Sequence, residues 1–206
     1  MQALRLLPIA FLLWSWAQPA CAEDRPDYQE AIAVMAPELR YLDFLWAVAK
    51  GDLNGDGIPD VAMLLTGSKN DHAPREEKLV VLAGVAGGGY RILSVSGEFC
   101  HPSKFYDLDI RNHSLLVAAV ETADSSRLAS YTLRFRYSAK LNDLELVGED
   151  TYSIAYDDGG EEARTSNNYL TGKFISTTRI NGRTKTTTTR IAKTAHPALN
   201  GWACRG

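Results

Sequence analysis

The sequence has no run of basic residues, no long apolar stretch after its first twenty residues, and few cysteines or histidines. Lysine and arginine number 22 against 25 aspartate and glutamate residues, and they are scattered. That excludes the electrostatic footprint of a nucleic-acid binder. No apolar stretch beyond the first segment approaches the roughly 20 residues a spanning helix needs, so no transmembrane segment is expected in the mature chain. No internal repeat of fixed period is present. There is no Gly-x-Ser-x-Gly elbow. The four histidines, His72, His101, His113 and His196, are not spaced with cysteine or carboxylate as a zinc pair would be, and they read as solvated loop residues. The glycine-rich turn from Gly84 to Gly89 precedes a strand-like run rather than a helix, which removes the phosphate-cradle reading.

What is present begins with an export signal. Arg5 supplies the charge, Leu6 to Trp16 the apolar run, and Ala20-Cys21-Ala22 the small residues of a cleavage site. Cleavage after Ala22 is expected, leaving residues 23–206 as a single domain in the periplasm or outside the cell. The competing expectation is a lipoprotein acylated at Cys21, against which Gln18-Pro19-Ala20 lacks the expected aliphatic residue. Cleavage leaves Cys100 and Cys204, an even pair in an oxidising compartment. A disulfide is the economical reading, and two unpaired thiols the alternative.

Residues 27–40 read as a short helix stopped near Pro37, with Ala31, Ile32, Val34 and Met35 as its apolar positions. From Tyr41 the pattern changes to short β-branched and aromatic runs separated by Gly, Asn and Asp. Strands are expected near 45–49, 61–65, 78–83, 91–96, 105–110, 115–121, 129–137, 143–148, 166–170, 173–180 and 184–191. Asn181-Gly182 is the strongest hairpin signal. Residues 66–77 and 157–162 read as long polar loops. The expected fold class is all-β and antiparallel, propeller-blade-like or a β-sandwich, with a short N-terminal helix.

One loop carries strong chemistry. In Asp52-Leu53-Asn54-Gly55-Asp56-Gly57-Ile58-Pro59-Asp60, side-chain oxygens fall at positions 1, 3, 5 and 9. Such alternation in a curled loop suits Ca²⁺, which takes six to eight hard oxygen ligands. Gly57 permits the chain reversal and the Ile58 carbonyl adds a ligand, so the expected metal set is Asp52, Asn54, Asp56, Ile58 and Asp60. Position 12 is Met63, not the bidentate Glu of an EF-hand, and the flanking runs are strand-like rather than helical.

Asp-x-Asn-x-Asp-Gly-x-x-Asp between strands resembles the FG-GAP or VCBS repeats of integrin α-subunit propellers and many exported bacterial proteins. The resemblance covers roughly residues 46–82, one repeat, whereas propellers of that family carry several. The segments Tyr131 to Tyr137, Leu144 to Gly148 and Ser166 to Lys173 are similar to a group of single-repeat exported bacterial proteins, which implies a shared domain and no particular activity. No catalytic and no organic-cofactor residue is expected. Asp157-Asp158 and Glu161-Glu162 read as a solvated rim rather than a glycosidase pair. The functional expectation is a calcium-stabilised binding module with a protein or glycan partner in the cell envelope. The alternative is an exported hydrolase whose active site is assembled from loops.

Overall fold

The computed structural model describes residues 25–70, 72–98, 105–124, 127–156, 160–191 and 198–202. The export segment with Cys21, the pair Cys100 and Cys204, His101, His196, and Asp157-Asp158 lie outside these residues. The described chain is antiparallel β with one short α-helix, α1 (Arg25–Met35), and two 3-10 turns.

The strands form two sheets. The first is a four-stranded meander in sequence order, β1 (Phe44–Gly51), β2 (Asp60–Gly67), β3 (Glu76–Gly84) and β4 (Tyr90–Val95). The second holds seven strands, also in sequence order: β5 (Phe105–Arg111), β6 (Ser114–Asp124), β7 (Arg127–Ser138), β8 (Asp143–Ala155), β9 (Glu161–Asn168), β10 (Lys173–Ile180) and β11 (Arg183–Arg190). Both expected architectures are therefore present in part. A blade-like meander packs face to face on a larger sheet, and among the described residues no second blade stands beside it.

Strand β2 is buried along its whole length, and its alternation divides the core. Ala62 and Leu64 face the second sheet, where they join Leu79, Val81, Leu115, Val117, Leu133 and Phe135. Val61, Met63 and Leu65 face the opposite way, onto Tyr28 and Ile32 of α1 and Leu39 and Leu42 of the segment that follows. A strand covered on both faces reads as a continuous apolar run, which is how residues 61–65 appear in the sequence. At the far edge, Leu199 is buried and Trp202 meets Phe135 edge-on at 5.9 Å, so the C-terminal turn closes the sandwich. Buried Asp143 holds that turn by accepting the Asn200 amide at 3.2 Å.

Several boundaries differ from the sequence expectation for physical reasons. The helix ends at Met35 rather than Arg40, because Ala36 before Pro37 leaves the helical region (φ −141°, ψ 68°) and a 3-10 turn follows. Val34 points to solvent at 75 % exposure, while Tyr28 takes the buried place. Strand β8 continues past Gly148 to Ala155 and β9 starts at Glu161, so Glu161 and Glu162 belong to a strand and not to a loop. These polar stretches are held by ladder pairing with their neighbours, a long-range interaction that local composition does not reveal. Asn181 and Gly182 both have positive φ, 50° and 74°, as the hairpin signal requires.

The β2–β3 loop is shorter than expected, and its base is tied down. A side chain at Gly67 would collide with the backbone of Tyr41 and Leu42, which cross over it. Across from Gly67, Glu76 accepts the Tyr41 hydroxyl at 2.5 Å and pairs with Lys69 at 2.6 Å. Lys69 and Tyr41 hold the Glu76 carboxyl below its ordinary range. A carboxyl depressed on folding stabilises the fold above its unfolded pKa and loses that contribution as pH falls through the folded value. Glu76→Gln should therefore cost about 1 kcal/mol at pH 7. In urea melts that gap should close as pH falls below the ordinary value of 4.5; the same gap at pH 7 and pH 3 would contradict the assignment.

Candidate functional site

The loop of interest joins β1 to β2, whose ends meet at the Gly51–Asp60 pair. Gly55 and Gly57 adopt positive φ, 80° and 81°, and let the chain curl in so short a span. The curl is stitched by carboxylates and an amide accepting backbone N–H groups. Asp52 accepts from Gly55 at 2.7 Å and from Gly57 at 3.0 Å. Asn54 accepts from Asp56 at 2.9 Å, and Asp56 from Ile58 at 2.8 Å. Each is the local Asp/Asn turn that makes these residues favoured outside regular structure.

Two anchors fix the curl to the body of the protein. Leu53 is 2 % exposed and inserts between the sheets. Asp60 is fully buried, and its carboxylate accepts three backbone N–H groups: Leu53 at 2.8 Å, Asn54 at 3.3 Å and Gly84 of β3 at 3.0 Å. Gly84 has to be glycine, since a Cβ there would lie 2.5 Å from the Pro59 carbonyl oxygen and 2.6 Å from the Ile58 side chain. Burial raises the Asp60 carboxyl above its ordinary pKa against the pull of those three amides, and the Asp56 charge raises it further.

A residue from the other sheet also reaches the loop. Ile110 of β5 packs so tightly on Gly51 that any side chain there would strike it. The β5–β6 turn at Asn112–His113, both at positive φ, is thereby carried alongside the loop. His113 Nδ1 lies 2.9 Å from the Asp52 carbonyl oxygen, a donor geometry, and 3.8 Å from its carboxylate. Desolvation pushes the Asp52 carboxyl up, but the Gly55 and Gly57 amides and His113 outweigh it and hold the group below its ordinary value. Sequence alone had placed His113 among solvated loop residues. Its approach to Asp52 depends on sheet packing 61 positions away, and no local signal announces it.

Oxygen donors alone make up the expected metal set, which suits a hard cation. Asp52, Asn54 and Asp56 are curled onto the exposed rim, while Asp60 lies beneath them as the buried tether. Among the described residues no three His, Cys, Asp or Glu side chains converge closely enough to hold a metal ion. An ion would therefore have to draw the rim carboxylates inward. The backbone amides that they release face solvent at the exposed rim, where water can replace the lost bonds.

The two acidic roles predict different costs. Asp60→Ala leaves buried amides of Leu53 and Gly84 without an acceptor and should cost at least about 2 kcal/mol. Asp56→Ala removes only exposed bonds and should cost less than about 1 kcal/mol when calcium is absent. Urea unfolding in chelator measures both; equal costs would show that Asp60 is not the anchor.

No curated protein and no solved structure matches the chain. Residues 44–63, which comprise β1, the loop and the first half of β2, match the FG-GAP repeat. The chain thus carries an FG-GAP repeat, a β-propeller motif, on the strand pair and loop that Asp60 ties together.

Proposed function

We propose that this chain is an exported, calcium-stabilised, non-catalytic interaction module of the bacterial cell envelope, of FG-GAP or VCBS type. One Ca²⁺ would be held by Asp52, Asn54, Asp56, Asp60 and the Ile58 carbonyl, and its role would be to brace the loop. The observation that carries this reading is a fully buried Asp60 carboxylate, raised by desolvation and by Asp56, directly beneath an all-oxygen rim. A cation there offsets both effects at once. The set of five protein donors leaves little room for a substrate on the ion. Glu161 and Glu162 are adjacent on β9 and so project to opposite faces, with Glu162 3.8 Å from Arg179; they do not face each other across a bond as a glycosidase pair would.

Export rests on the N-terminal signal features, with Ala22 as the last residue removed and lipidation at Cys21 as the variant outcome. In that compartment Cys100 and Cys204 form a disulfide. Intact mass of the secreted protein should show no alkylation until a reductant is added, and two thiols alkylated without reduction would refute the bridge.

The calcium reading is tested by calorimetry and paired thermal melts. Chelator-stripped protein should take up one Ca²⁺. At a hundredfold excess over the dissociation constant the ion should add about 2.7 kcal/mol of stability, several degrees in melting temperature for a domain of this size. Asp56→Ala should abolish that rise while melting near the wild type in chelator. Equal wild-type melting temperatures with Ca²⁺ and with chelator would overturn the structural role. The interaction role is tested by pull-down from the organism's own envelope fraction, where a retained partner is expected and recovery of none contradicts it.

A further inference from the structure

The second sheet outgrows the first. Sheet-on-sheet packing covers the β5 to β8 side, whereas β11 is exposed along its full length. The face of this sheet turned away from the sandwich carries a groove of about 460 Å³ across β7 to β10. Register fixes what lines it. In one rung Ser130 stands opposite Tyr152, Tyr152 opposite Arg164, and Arg164 opposite Thr177. In the next, Thr132 stands opposite Asp150 and Asp150 opposite Ser166.

The charges here are unevenly paired. Arg134 neutralises Asp150 at 3.0 Å, and Arg179 lies 3.8 Å from Glu162. Arg164 has no carboxylate within ion-pair distance among the described residues; its guanidinium rests over the Tyr152 ring, 4.9 Å from the centroid. Such a contact holds the guanidinium in place and leaves its planar N–H fork free to bind. A planar fork of that kind matches a carboxylate, which it grips with two parallel hydrogen bonds.

We infer that this groove binds an acidic oligosaccharide, with a sugar carboxylate on Arg164 and sugar hydroxyls on Ser130, Thr132, Ser166 and Thr177. The volume is that of a small-ligand site. Hydroxyl side chains both donate and accept, which suits a polyhydroxylated ligand. An acidic peptide is disfavoured because the groove lies on the sheet's face. There the main-chain N–H and C=O groups of β8 and β9 are already paired on both sides, so an extended chain gains no ladder bonds. The site gives a chemical class to the partner of the proposed module, yet it stands apart from the calcium loop and does not depend on it.

The test is titration of the mature chain with tetragalacturonate, its methyl ester and tetraglutamate, followed by Tyr and Trp fluorescence. The acid should bind saturably. Esterification and Arg164→Gln should each weaken it at least about tenfold, with Arg164→Lys in between and melting temperatures unchanged. Asp56→Ala should bind as the wild type does, which separates this site from the loop. No saturable binding, equal binding of the ester, indifference to Arg164→Gln, or loss in Asp56→Ala would each overturn the inference. Tetraglutamate binding as tightly as the sugar acid would assign the groove to peptide and overturn it too.

Discussion

The buried carboxylate of Asp60 is the constraint on which the β1–β2 region depends. It sits at the first residue of β2, where Gly51 pairs with it, and it binds amides before it in the loop and across from it on β3. One side chain therefore sets the loop's curl, the entry into β2 and the loop's distance from the sheet. Its companion is Leu53, whose side chain enters the inter-sheet core. The polar and apolar anchors act on the same turn of chain, so the rim residues between them can be short, exposed and rich in glycine without losing their position. Burying a carboxylate is costly unless its hydrogen bonds are made, and here three amides make them.

Around this knot the molecule divides by polarity. The first sheet is covered on both faces, by α1 with the following 3-10 turn on one side and by β5 to β8 on the other. The outer strands β9 to β11 have no such cover, and their sequences change accordingly. Ser, Thr and Asn replace the apolar alternation, and the edge strand Arg183–Arg190 is fully exposed with three cations and no acid. Charge on an edge discourages a second copy from pairing there; in an antiparallel self-pairing Arg183 would meet Arg190. The fold is thus a conventional hydrophobic sandwich from which a polar sheet extends, and the broad hydroxyl-lined face is a product of that extension.

Much of this was legible in the sequence. Each of the eleven strands was anticipated at least in part, β9 only over residues 166–168, because most of them carry either alternation or a continuous apolar run bounded by turn residues. The hairpin at Asn181-Gly182 followed from the positive φ that only such pairs adopt readily. The limits were also physical. Residues 149–155 and 161–165 lack a hydrophobic pattern because neither face is deeply buried, so only ladder partners reveal them as strands. In the loop, composition pointed to Asp52, Asn54, Asp56 and Asp60 as equals. It could not separate the buried tether from the exposed rim, a difference created by Gly84 on a strand 24 positions away. His113 was hidden for the same reason, and so was the face shared by Tyr152 and Arg164.

A cation, when bound, would engage the rim and share the Asp60 carboxylate, which keeps the loop on the sheet through the Leu53 and Gly84 amides. Amide NMR during a Ca²⁺ titration of chelator-stripped protein reads this most directly. Saturable shifts should concentrate on the amides of residues 53–58 and on Gly84, with exchange at Leu53 and Gly84 slow both before and after addition. Unperturbed loop amides at millimolar Ca²⁺, or fast exchange at Leu53 and Gly84 before the ion is added, would contradict it.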